Sequence, residues 1–221
     1  MRPALAHIRN WIFDLDNTLY PASADLFGHI DVRMGQYIQT LLDVGPEEAR
    51  RIQKSYFLDH GTTLSGLMAD HGIEPRAFLD YVHDIEMDAL AEDRRLVEAI
   101  ARLPGRKLIF TNGDDAYARR VLARLGLSDS FEAIHDIHAS AYLPKPDPRA
   151  YAAMASSFGI DPAVSLFAED MARNLRPAKA IGMATLWVNN GSEYGVNDAS
   201  PDYIDYETTD VGVWLHQLLE G

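Results

Sequence analysis

The chain has 221 residues, 47% of them hydrophobic, with a formal net charge of −13 and no cysteine. Length and apolar content are enough for a sizeable core, while the lack of thiols excludes disulfides, cysteine-ligated zinc and thiol nucleophiles. Lys and Arg never cluster without interleaved acids, which argues against a groove for DNA or RNA, and no run approaches the roughly 20 apolar residues of a membrane span.

The opening stretch "MRPALAHIRNWIF" lacks the apolar region of a secretory signal, so a cytoplasmic location is expected. Within "NWIFDLDNTLYP", Trp11, Ile12 and Phe13 are β-branched or aromatic without polar alternation, the pattern of a strand buried on both faces. Strand periodicity turns Asp14 and Asp16 to one side, where two like charges are costly unless a proton or cation intervenes.

Helical spacing follows from 24 to 42, carried by Leu26, Phe27, Ile30, Met34, Tyr37, Ile38, Leu41 and Leu42 and stopped by Gly45-Pro46. Further helices are predicted at about 46–58, 63–71, 75–90 and 93–103, with no convincing strand between them. Residues 21–92 therefore read as an all-helical insertion.

After Pro104-Gly105 the pattern alternates. "KLIFTNG" is a short strand running into turn residues, and "DDAYARRVLARLG" is a helix with an acidic start and a Gly stop. A weak strand at 133–137 precedes a helix at 148–158; "VSLFAED" precedes a helix at 171–181; "ATLWVN" is a strand and "DVGVWLHQLL" a closing helix. Strands alternating with helices predict an α/β fold with a parallel sheet covered on both faces. Ligands in such sheets bind beyond the carboxyl ends of the strands, the edge to which Asp14 and Asp16, Thr111 and Asn112, and Glu169 and Asp170 are delivered. In "LPKPDP", Lys145 stands among three prolines, on a backbone too stiff for a merely solvated lysine.

In this order, "DLDNT", "FTNG", "KPDP" and "AEDMARNL" resemble the four motifs of the haloacid dehalogenase superfamily of phosphohydrolases, over nearly the whole chain from Asp14 to about Asn189. The resemblance implies a Rossmann-like core over 1–20 and 93–221 and a small helical cap domain over 21–92, inserted after the first strand. It implies Mg²⁺ held by Asp14, Asp16 through its backbone carbonyl, Asp170 and Glu169. Asp14 would be the nucleophile and form an aspartyl-phosphate, and Asp16 the general acid and base. Thr111 and the Asn112 backbone would bind phosphoryl oxygens, and Lys145 would neutralise Asp14 and phosphate.

The metal answers a definite need. A carboxylate approaching a phosphate dianion meets about 4 kcal/mol of repulsion per charge pair at 4 Å and an effective dielectric of 20, and an all-oxygen shell suits Mg²⁺. Dehalogenases of the superfamily attack carbon without metal and lack an acid at the second aspartate position, so Asp16 points to a phosphatase. "DLDNTLYP" together with "YFLDHGTTLSGLM" resembles the pyrimidine 5'-nucleotidase branch. Where that branch often carries two aspartates in its fourth motif, this chain has Glu169-Asp170, a pair also found in sugar-phosphate mutases of the superfamily.

The expected partner is a small phosphorylated metabolite, with UMP or CMP first, rather than a nucleic-acid polymer or a membrane. A mutase, another small-metabolite phosphatase acting for example on phosphoglycolate, and a catalytically silent binding homologue are the alternatives. A phospho-receiver domain uses a similar acidic cluster, but at about half this length and without the helical insertion. His60, Thr62 and Thr63 are candidates to face substrate from the cap, although either threonine also suits an N-cap. Tyr20 and Tyr56 are candidates for base stacking, Asn174 for orienting the loop after Asp170, and His135 and His138 read as structural. The sequence leaves the oligomeric state open.

Overall fold

The computed structural model describes residues 5–192 and 194–220. Its centre is a six-stranded parallel sheet built from β1 (Asn10–Phe13), β2 (Arg106–Phe110), β3 (Ala133–His135), β4 (Ser165–Glu169), β5 (Ala184–Val188) and β6 (Tyr206–Thr208), in the order β3-β2-β1-β4-β5-β6. Side-chain alternation along each strand feeds two cores. Trp11, Phe13, Ile109, Leu166 and Leu186 enter one apolar cluster, and Ile12, Leu108, Phe110 and Phe167 the other. All four β1 side chains are buried, as expected for a strand covered on both faces.

Helix α7 (Pro148–Phe158) contributes Ala150, Tyr151 and Met154, and α8 (Ala172–Ala180) Ala172, Leu175 and Ala178, to the second cluster. The first cluster takes in residues of α5 (Arg94–Arg102), α6 (Asp115–Arg124) and α9 (Val211–Glu220), with α5 packed on α9. The result is the parallel sheet covered on both faces expected from the alternating pattern, in the Rossmann-like α/β architecture that the family resemblance implies.

Between β1 and α5 the chain forms α1 (Leu26–Leu42), α2 (Pro46–His60), α3 (Thr63–His71) and α4 (Pro75–His83). Helix α1 packs on α2 and α4, and α2 on α3. Gly66 of α3 lies so close to α2 that a Cβ there would fall 2.3 Å from the Tyr56 ring.

Two element boundaries differ from expectation. The helix predicted to run from 75 to 90 ends at His83. Arg33 takes the carbonyl of Tyr81 at 2.7 Å and Arg120 takes those of His83 and Ile85 at 2.8 Å, satisfying acceptors that a further turn would have used. The weak strand expected at 133–137 stops at His135, where the chain turns so that Ile137 N donates to Gly113 O. The edge strand β6 was not anticipated: "YET", with Glu207 exposed between the half-exposed Tyr206 and Thr208, gives no apolar alternation. Among the described residues no helix is long and apolar enough to cross a membrane.

Candidate active site

Strand β1 pairs with β2 on one side and β4 on the other, Phe13 lying opposite Ile109 and Ala168. This register puts Asp14, Thr111, Glu169 and Asp170 side by side at or just past the strand ends. The buried Lys145 ammonium donates to Asp14 Oδ1 at 2.6 Å, Glu169 Oε2 at 2.7 Å and the Phe110 carbonyl at 3.1 Å. Its own backbone is fixed by Asn112, whose Oδ1 accepts from Lys145 N at 2.8 Å.

Asp14 is 5% exposed and its carboxyl is pushed up to about 7, first by burial and then by the negative charge of Glu169, against the pull of Lys145. Burial and the neighbouring Glu169 and Asp14 likewise raise Asp170 well above the usual carboxylate range. For Lys145, burial opposes the charge, yet the Asp14 and Glu169 carboxylates overcome it and hold the pKa above the ordinary lysine value. Oxygen atoms of Asp14, Glu169 and Asp170 lie within 4.8 Å of one another. Three carboxylates and one ammonium sum to a charge of −2, which a single divalent cation cancels. The all-oxygen donor set fits Mg²⁺ rather than a thiolate- or imidazole-loving metal.

The second aspartate is compensated differently. After Asp16 the chain turns through Asn17 in the left-handed region (φ 57°). Tyr20 and Tyr117 then each donate a hydroxyl to Asp16 Oδ1 at 2.6 Å. Both phenols are buried, and burial together with the Asp16 carboxylate pushes their pKa values well above the ordinary tyrosine value. Thr18 donates to Asp14 Oδ2 at 3.2 Å, and Thr111 Oγ1 accepts from Gly113 N at 3.0 Å.

These groups open on a cavity of about 190 Å³ between the strand ends and the inserted helices. Asp14, Asp16, Thr111, Asn112, Lys145, Glu169 and Asp170 all line it, and Thr62 and Thr63 reach it from the insertion. Thr62 also N-caps α3, accepting from Ser65 N at 3.1 Å. His60 and Tyr20 are not among the lining residues. Tyr56 stays between α2 and α3, with its hydroxyl 2.9 Å from His71 Nε2. Asn174, on α8, does line the cavity. His135 is buried against Phe110 and Phe158, and His138 Nδ1 is 3.1 Å from the Tyr142 hydroxyl.

Thr18, Tyr117, His83 and Arg173 were not singled out from sequence. Thr18 and Tyr20 each follow their aspartate by four residues, a spacing that a tight turn brings together. Tyr117 carried no signal, since its partner lies 101 positions away. Arg173 faces the insertion, its guanidinium 4.5 Å from the Phe57 ring and Nη2 3.4 Å from Gly61 O.

The chain is 27% identical over 190 residues to Phosphate metabolism protein 8 of Saccharomyces cerevisiae, covering 78% of this chain and 59% of that protein. To the phosphoserine phosphatase of Thermus thermophilus it is 31% identical over 114 residues, covering 51% and 43%. It thus spans about half the length of these curated relatives. Among solved structures it resembles a HAD phosphatase from Thermococcus onnurineus, with a TM-score of 0.64 at 19% identity over 97% of this chain and 99% of that one. An L-2-haloacid dehalogenase from Xanthobacter autotrophicus gives 0.58 at 19% over 96% and 98%. Identities this low concern the fold alone. Residues 8–182, which include all four motif segments, match the haloacid dehalogenase-like hydrolase family, and the chain belongs to that family.

Proposed function

We propose that this chain is a Mg²⁺-dependent phosphomonoester hydrolase that works through an aspartyl-phosphate on Asp14. The observation that carries the reading is the buried cluster in which Lys145 bridges Asp14 and Glu169 while Asp170 lies alongside, open to the cavity.

Asp14 attacks phosphorus as Asp16 gives its proton to the leaving alkoxide. Asp16 then removes a proton from the water that cleaves the acyl-phosphate, so donor and acceptor are restored. Thr111 and the Asn112 backbone hold the phosphoryl oxygens, and Lys145 offsets the charge that accumulates on Asp14 and phosphate. Asp14, Asp170 and the Asp16 carbonyl are the groups that would hold Mg²⁺; Glu169 completes the acidic set and balances Lys145. When bound, the cation neutralises phosphoryl charge and lowers the repulsion between phosphate and nucleophile.

Residues 21–92 act as the cap, and its residues select the leaving group. A pyrimidine nucleoside 5'-monophosphate, UMP or CMP, is the proposed substrate. The cavity offers the rings of Phe27 and Phe57 beside the polar Gln53 and Asp31, groups suited to a planar base with polar edges. Thr62 and Thr63 are the cap hydroxyls nearest this role.

Phosphate release from UMP, CMP, AMP, phosphoglycolate, glucose 6-phosphate and p-nitrophenyl phosphate in Mg²⁺ buffer tests the proposal. A preference in kcat/KM for UMP and CMP is expected. Activity without nucleotide preference removes the pyrimidine assignment. Phosphate retained on an organic product points instead to a mutase. Asp14→Asn, nearly isosteric but a poor nucleophile, abolishes release with the fold intact; wild-type turnover by this variant overturns the mechanism.

A further inference from the structure

We infer that Tyr20 and Tyr117 are positioning residues that together lock the Asp16 carboxylate and confine its transferable proton to Oδ2. The inference rests on the reading of Asp16 as proton donor given above.

Both hydroxyls converge on the same oxygen, Oδ1, at 2.6 Å, within the range of short O–H···O⁻ bonds. An oxygen with both lone pairs occupied has no place for a proton, so protonation of this carboxyl occurs at Oδ2. Oδ2 has no hydrogen-bond partner among the described residues, and Asp16 lines the cavity. Carboxylate torsions are otherwise broad and roughly two-fold, so an unbound carboxylate would exchange its two oxygens freely. Two donors fixed on one oxygen remove that freedom.

The donors themselves are held firmly. Tyr20 is 4% and Tyr117 1% exposed. The Tyr117 backbone N–H donates to the N-cap Asp114 at 2.8 Å. Its ring stacks on His83, at 4.2 Å between centroids and 15° between planes, and His83 Nδ1 lies 2.5 Å from Asp114 Oδ2. One face of the clamp is therefore contributed by α4 of the inserted helices, which ties the position of Asp16 to the seating of the insertion.

The test compares two leaving groups. An alkyl phosphate, UMP or else glucose 6-phosphate, needs a proton on its departing oxygen, whereas p-nitrophenolate leaves without one. Tyr20→Phe and Tyr117→Phe keep the ring packing and each leaves one donor, so either single variant can carry the experiment. For each, kcat/KM on the alkyl ester is expected to fall about tenfold or more, with a loss below about threefold on p-nitrophenyl phosphate. In an Asp16→Asn background the tyrosine substitutions should cause no further change in that ratio, because the group they position is gone. Equal losses on both esters, or none on the alkyl ester, overturn the clamp. If Asp16→Asn itself shows no discrimination between the esters, the proton-donor reading fails with it; discrimination by Asp16→Asn but not by the tyrosine variants removes the clamp alone.

Discussion

Two neighbouring aspartates at the end of a buried strand pose a charge problem that the protein solves twice over. Asp14 is met by an ammonium and Asp16 by two phenolic hydroxyls. The first solution is incomplete, because Lys145 serves Asp14 and Glu169 while Asp170 adds a further acid. A pH dependence follows. With the Asp14 carboxyl raised from 3.8 to about 7, the metal-free folded state binds this proton more tightly than the unfolded chain. Its contribution to stability is therefore full below about pH 4 and lost as pH rises through about 7. In EDTA, Asp14→Asn should melt above wild type, by a margin that widens from pH 5 to pH 8; a constant margin contradicts this. Lys145→Met should lower the melting temperature and abolish turnover together, since it leaves two buried carboxylates without their cation, a change of the kind that costs about 3–5 kcal/mol.

Among the elements, Gly66 and Gly35 make a matched pair. A methyl at Gly66 would sit 2.3 Å from ring atoms of Tyr56 and 2.6 Å from its Cβ, so the whole side chain, not only its tip, must move. Such overpacking costs about 1–3 kcal/mol, against a helix-propensity gain of at most about 1 kcal/mol. At Gly35 in α1 the nearest atom is Gln53 Oε1 at 3.5 Å, an ordinary contact. Urea midpoints should thus fall for Gly66→Ala and rise for Gly35→Ala. The strands that carry Asp14, Thr111 and Glu169 were legible because each is a dense apolar run ending abruptly in polar residues. Lys145 was legible from its prolines. The end of α4 was not, because Arg33 and Arg120, distant in sequence, supply the stop. Strand β6 was not, because a three-residue edge strand with no buried side chain has no hydrophobic period to read. Tyr117 was not legible, since only the folded sheet brings α6 to the turn after β1.

For the whole molecule, the insertion is fastened to the core on both sides of the cavity, by His83 to Asp114 and by Phe57 and Gly61 to Arg173. The acidic cluster lies beneath it in a chain of net charge −13, whose field favours cations over anions. Mg²⁺ at about 100 times its dissociation constant should stabilise the folded state by about 2.7 kcal/mol. A calorimetric titration of wild type should register this as a rise in melting temperature, much reduced in Asp170→Asn, and EDTA should stop turnover until Mg²⁺ is returned. The sheet order carries a consequence for how the chain is made. β1 lies at the centre, yet its neighbours begin only at Arg106 and Ser165, beyond α1–α5, the first four of which pack on one another. A ribosome therefore releases the strand bearing Asp14 first and its second partner late, and the "WIF" edges wait exposed while local helices form quickly around nothing sheet-like. Nascent chains stopped before Ser165 should engage chaperones, and those extended past Val188 should let go.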